Sequence, residues 1–292
     1  MKKWLMSVIF LSFISCEKDI NFNLNKAQDA LVVDANIENG QAPYVLLNKS
    51  FDFFSTLNLE KLSNSFVHDA TVTISNGIVT HKLKEYAYEV GGNNKIYVYS
   101  IDSANLSTAF VGQLNTTYTL KISSEGKNYI AITTIPSLAR KMDSLFWKPA
   151  PFATDTNDVV VTLRATDPRG LGNYVRYFTK KNNESFLPGD NSVFDDQVID
   201  GTTYEFQVDP GINRNNLVPY DSNYFKRGDS ITIKLCNIDK ATYSFWTSWE
   251  FSYGSIGNPF AQPNKVIGNI SNGALGAFYG YAAAFKSIVI PK

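Results

Sequence analysis

Residues 70–74 alternate, with Ala70, Val72 and Ile74 apolar and Thr71 and Thr73 polar. The same period of two recurs where Tyr118, Leu120 and Ile122 oppose Thr119 and Lys121. Such alternation predicts antiparallel strands with one face on a core and the other in water. Similar short runs fill the first half of the chain: LVVDANIE (31–38), PYVLLNKS (43–50), IVTHKLKEY (78–86), KIYVYSI (95–101), TYTLKIS (117–123) and NYIAITTI (128–135). With ATVTISNG (70–77) they make seven short strands separated by Gly, Asn and Ser turns, the pattern of an immunoglobulin-like β-sandwich over 30–137. SNG (75–77) and SEGKN (124–128) read as tight hairpins, in which glycine supplies the positive φ.

Pro136 and the following SLARKMD interrupt the pattern, and the domain boundary is expected near residue 138. A second β series follows: DSLFW (143–147), DVVVTLRATD (158–167), NYVRYFTK (173–180), TTYEFQVD (202–209) and DSITIKLCNI (229–238). The fold class is therefore mainly β, with two β-sandwich domains, 30–137 and 138–292. The connections 181–201 and 210–228 are long for a compact domain, and long connections are candidate contact surfaces. One helix breaks the β pattern over 240–253, capped by Asp239. Its aromatic residues Tyr243, Phe245, Trp246, Trp249 and Tyr253 fall three and four apart. That stripe is expected to pack on a sheet; the competing reading is a platform on which a sugar stacks. The Gly- and Ala-rich tail is expected to hold a loop and one or two closing strands, its small residues permitting close backbone approach.

The first residues carry a different pattern. Lys2 and Lys3 precede an apolar run over 4–14, which is the shape of a signal peptide over 1–15. The run is shorter than the roughly 20 apolar residues a membrane span needs. Phe13-Ile14-Ser15-Cys16 resembles a bacterial lipobox, which makes Cys16 the expected lipid attachment site. Glu17, Lys18 and Asp19 resemble the short signal that sorts Bacteroidetes lipoproteins to the outer face of the outer membrane. Residues 16–29 then form the lipidated N-terminus and a polar tether.

Composition narrows the reading further. Hydrophobic residues make up 44% and charged residues 18%, enough apolar side chains for a packed core. Twenty-seven basic residues balance 27 acidic ones, which argues against a nucleic-acid partner. Once Cys16 carries lipid, Cys236 is the other cysteine of the chain, so no internal disulfide forms. In ITIKLCNI it reads as a small buried hydrophobe.

Candidate chemistry is sparse. His68 and His81 match no zinc spacing. No G-x-S-x-G surrounds Ser63 or Ser65 near His68, and no phosphate-binding glycine loop is present; GALGAFYG (273–280) reads as a tight β connection. Asp155, Asn157 and Asp158 offer oxygen ligands without the EF-hand pattern. Asp195 and Asp196 could serve a cation or a glycosidase, though neighbouring carboxylates do not by themselves span a cleft. No metal, cofactor or enzymatic activity is expected. Phe51, Phe53 and Phe54, with Asp195 and Asp196, remain as candidate binding residues.

The order of several segments resembles the DUF4249 family of Bacteroidetes outer-membrane lipoproteins. These are the lipobox followed by LVVDANIENG, then HDATVTISNG, TYTLKISSEGKNYIAITTIP, DPRGLGNYVRYF, YSFWTSWE and NPFAQPNKVIGNISNGALGAFYGYA. Val175 stands where the family-like segment has a second aromatic residue. The resemblance implies a cell-surface lipoprotein encoded beside a TonB-dependent receptor, and so an accessory, ligand-capturing or lid subunit of an importer. A structural or adhesive module and an unrecognised hydrolase are the competing expectations.

Overall fold

The computed structural model describes residues 30–51, 58–90, 94–214, 224–258, 262 and 264–292. In the first half lie β1 (Leu31–Glu38), β2 (Tyr44–Lys49), α1 (Leu59–Ser63), β3 (Thr71–Ser75), β4 (Thr80–Glu89), β5 (Lys95–Ile101), β6 (Thr116–Ser124) and β7 (Lys127–Ile135). The second half adds β8 (Lys141–Pro149), β9 (Asp158–Thr166), β10 (Tyr174–Lys181), β11 (Leu187–Phe194), β12 (Thr203–Val208), β13 (Phe225–Lys226), β14 (Ser230–Ile238), α2 (Lys240–Gly254) and β15 (Leu275–Val289). The mainly β fold expected from the alternation is the observed one.

Alternation becomes burial directly. Leu31, Val33, Ala35 and Ile37 of β1 face inward, as do Val72 and Ile74 of β3 and Tyr118, Leu120 and Ile122 of β6. With Leu47, Ala131, Ile135 and Phe278 they form the first core, each large side chain contributing about 1.5–3 kcal/mol by leaving water. The β6–β7 hairpin turns on Glu125 and Gly126, with φ of 49° and 75°. Two successive positive-φ residues make the turn whose twist matches the strands it joins.

The second core lies between β9, flanked by β8, β12 and β13, and the layer containing β10 and β14. Val159, Val161 and Leu163 meet Val175, Ile231, Ile233 and Leu235 there.

β15 links the two halves. Its residues 275–281 pair parallel with β1, and 282–289 pair antiparallel with β14. The resulting sheet has eleven strands in the order β11-β10-β14-β15-β1-β2-β5-β4-β3-β6-β7. The tail thus supplies one 15-residue strand; GALGAFYG, expected as a tight β connection, is instead mostly strand, its residues 275–280 pairing with β1. Close approach is real here: a side chain at Gly276 (φ +90°) would place its Cβ 2.0 Å from the carbonyl oxygen of Val33.

One strand lies where a connection is expected. β11 sits within 181–201, and its LPGDNSVF carries Pro188 and Gly189. It forms the edge of the sheet with a shift of register against β10, and an edge is where a strand tolerates proline.

Candidate functional site

α2 covers the face of the sheet opposite the first core. Its N-cap Asp239 accepts through Oδ1 from Thr242 N (2.8 Å), while Oδ2 accepts from Thr133 Oγ1 (3.0 Å) and Thr134 N (2.8 Å) on β7. One carboxylate therefore starts the helix and fixes that start to the sheet. Phe245 is buried against Tyr279, Tyr281, Ala277 and Cys236. Trp246 and Trp249, also on the aromatic stripe, are only half-buried.

Those two indoles face a cleft of about 880 Å³. Its floor comes from outward-facing positions of β1 and β15, notably Val32, Asp34 and Tyr279; α2 forms one wall and residues 265–274 another. Ser248 Oγ ties those walls together by accepting from Ile267 N (2.9 Å). Asn269 stitches the far wall to β15, accepting from Phe278 N (2.8 Å) and donating to its carbonyl (2.7 Å). The lining is mostly apolar and aromatic, with Asp34 its acidic group and Lys265 an exposed basic group at the edge of the far wall.

Asp34 is exposed towards the cleft, and it accepts a hydrogen bond from the Tyr279 hydroxyl. Loss of surrounding water raises its pKa from 3.8 to about 6, against the opposing pull of Arg176. Arg176 is buried behind the cleft. Its guanidinium lies 3.3 Å from the Trp246 ring centroid and donates to Ser192 Oγ (3.1 Å) and Tyr281 Oη (3.0 Å). Ser192 in turn bonds Glu250 of α2 through both its backbone N–H and its hydroxyl. Burial raises the pKa of Glu250, with the Ser192 bonds and the charge of Arg176 pulling the other way. A buried guanidinium thus braces one wall of the cleft from behind.

Of the expected site residues, those that the structure describes do not line this cleft. Cys16, Glu17, Lys18, Asp19, Phe53 and Phe54 lie outside the described residues. Phe51 is half-buried just beyond β2 and does not line the cleft. Asp195 and Asp196, expected as candidate binding residues, take separate partners. Asp195 accepts from Tyr243 Oη (3.1 Å) and lines a smaller hollow of about 430 Å³ with Phe194, Tyr204 and Phe206. Asp196 is buried and accepts from Asn173 N (2.7 Å). Burial pushes its pKa up, but the backbone N–H groups of Asn173, Gly172 and Asp196 itself outweigh that and hold it below the ordinary value.

The other chemical candidates are occupied. His68 Nδ1 meets Glu85 Oε1 at 2.5 Å, whereas Ser63 donates to the Lys95 carbonyl and Ser65 to the Leu62 carbonyl. Asp155 and Asp158 both pair with Lys226. Burial drives the Cys236 thiol up to about 12, which suppresses the reactive thiolate.

The residues that sequence reasoning missed are Asp34, Arg176, Ser192, Glu250 and Tyr279. The aromatic stripe on α2 pointed to the neighbourhood. Asp34 did not, because it stands on the polar side of an alternating strand.

A family model described as a domain of unknown function (DUF4249) matches residues 17–287. No curated protein matches the chain. No described helix is long and apolar enough to cross a membrane.

Proposed function

The chain belongs to the DUF4249 family, and from that premise we propose that it is a non-enzymatic, ligand-capturing lipoprotein serving a TonB-dependent importer of the outer membrane. The observation that carries the reading is the cleft beneath α2. Its volume, about 880 Å³, falls within the range of small-molecule sites, roughly 300–1,000 Å³. Apolar walls with a few placed polar groups are the usual composition of such sites. The ligand is a small molecule with an apolar or aromatic body that stacks on Trp246 and Trp249. It presents a hydrogen-bond donor to Asp34.

Lipid on Cys16, with the sorting residues Glu17, Lys18 and Asp19, holds the protein at the outer membrane facing the exterior. Anchoring two proteins to one surface raises their effective concentration, so a modest affinity between capture subunit and channel is enough for transfer. No residue of the cleft has to perform chemistry in this scheme. It binds, excludes water and releases.

The partner is tested by isolating the tagged lipoprotein from native membranes in mild detergent and identifying co-purifying proteins by mass spectrometry. A stoichiometric outer-membrane receptor is the expected result. Recovery of the lipoprotein alone under conditions that preserve other envelope complexes would overturn the importer assignment.

A further inference from the structure

Two loops of the second half bring three carboxylates together. Asp167 follows the end of β9, while Asp196 and Asp200 lie between β11 and β12. One oxygen of each lies within 4.8 Å of the others. Asp167 and Asp196 are buried and Asp200 is exposed. We infer that these three aspartates form a calcium site that locks the 167–173 loop to the 195–202 loop.

Asp167 carries the inference beyond proximity. Its side chain is fully buried, and Oδ1 accepts from Arg140 Nε at 2.7 Å. Its second oxygen, Oδ2, is buried with no hydrogen-bond partner among the described residues. Buried polar atoms are almost always satisfied, and a carboxylate oxygen pays a full desolvation penalty when it is not. A cation held between Asp167, Asp196 and Asp200 supplies the missing partner.

Charge and distance agree. Arg140 pairs with Asp167, whereas Asp196 and Asp200 form no ion pair among the described residues, so two carboxylates are left to meet a divalent ion. The hydrogen bonds given to the other two come from neutral groups: Asn173 N and Nδ2 to Asp196, and Gly170 N to Asp200 (2.6 Å). Oxygens on opposite sides of a calcium ion lie about 4.6–5.2 Å apart, since each bond is about 2.3–2.6 Å. The observed spread fits within that limit. A purely oxygen donor set disfavours zinc and other nitrogen- or sulfur-seeking metals. An irregular, loop-built set suits calcium better than magnesium, which demands a near-ideal octahedron.

The test uses the mature lipoprotein in detergent, stripped with EDTA and dialysed, then heated with either EDTA, CaCl2 or MgCl2. Saturating calcium is expected to raise Tm by roughly 5–10 °C, and magnesium by much less. Asp200→Asn, at an exposed position, should keep its EDTA Tm within about 2 °C of wild type while losing the calcium-dependent rise. If stripping fails because binding is tight, elemental analysis should find one calcium per chain in wild type and none in Asp200→Asn. A wild-type protein that neither shifts nor retains calcium would overturn the site. So would an Asp200→Asn variant that responds like wild type.

Discussion

Asp34 concentrates the electrostatic cost of the cleft in one side chain. Its pKa is raised to about 6, so the folded chain holds this proton to a higher pH than the unfolded chain does. Stability from this group is greatest below about pH 4 and is lost as pH rises towards 6 and beyond. Asp34→Asn keeps an acceptor for Tyr279 and removes the charge. The variant should therefore melt higher than wild type at pH 7, and the gain should vanish near pH 4. Thermal melts across that range measure it, and a gain independent of pH would contradict the assignment. Residue-level function was the least legible part of the sequence. In LVVDANIE, Asp34 alternates with buried Val33 and Ala35 and so reads as solvent-facing. That reading identifies its face of the strand correctly. What it cannot supply is that α2, some two hundred residues later, roofs the same face.

At the scale of elements, the strands were legible because alternation with a core on one side is a local property. β11 was not, since Pro188, Gly189 and Asp190 are poor strand formers, and an edge position with a bulge accommodates them. β15 was legible only in part. Its middle is covered on both faces by the first core and α2, so Ala277–Ala283 shows no alternation. The helix was legible from Asp239 and the aromatic stripe together, although the expectation that the stripe only packs divides in the structure: Phe245 packs and the two indoles line the cleft. Asp239 also bonds β7, which makes it more than a cap. Asp239→Ala should destabilise the chain by about 2 kcal/mol in denaturant unfolding, combining a lost cap with lost bonds to Thr133 and Thr134. A loss below about 0.5 kcal/mol, the level of an ordinary surface change, would show that the helix start is held by other contacts.

For the whole molecule, the shared strand matters most. The halves 30–137 and 138–292 each have a core, and β15 contributes Phe278 to the first and carries the outer pairing of β14 beside the second. Neither half can lose this strand without exposing its neighbour's edge. Calorimetry should therefore show one cooperative transition, with near-UV and far-UV signals coincident. Two resolved transitions would mean that the halves are energetically independent. The same coupling places the cleft where β1, β15 and α2 meet.

The central claim is that this cleft binds a small apolar molecule, and a titration with a fluorescent probe tests it most directly. N-phenyl-1-naphthylamine, neutral and aromatic, would be added to wild type and to Val32→Trp and Trp249→Ala, all checked for native far-UV spectra. The account predicts saturable binding at one probe per chain, weakened at least about tenfold when Val32→Trp fills the floor or Trp249→Ala removes the stacking wall, a loss of about 1.4 kcal/mol. Absence of saturable binding, or equal binding by wild type and both folded variants, would contradict it.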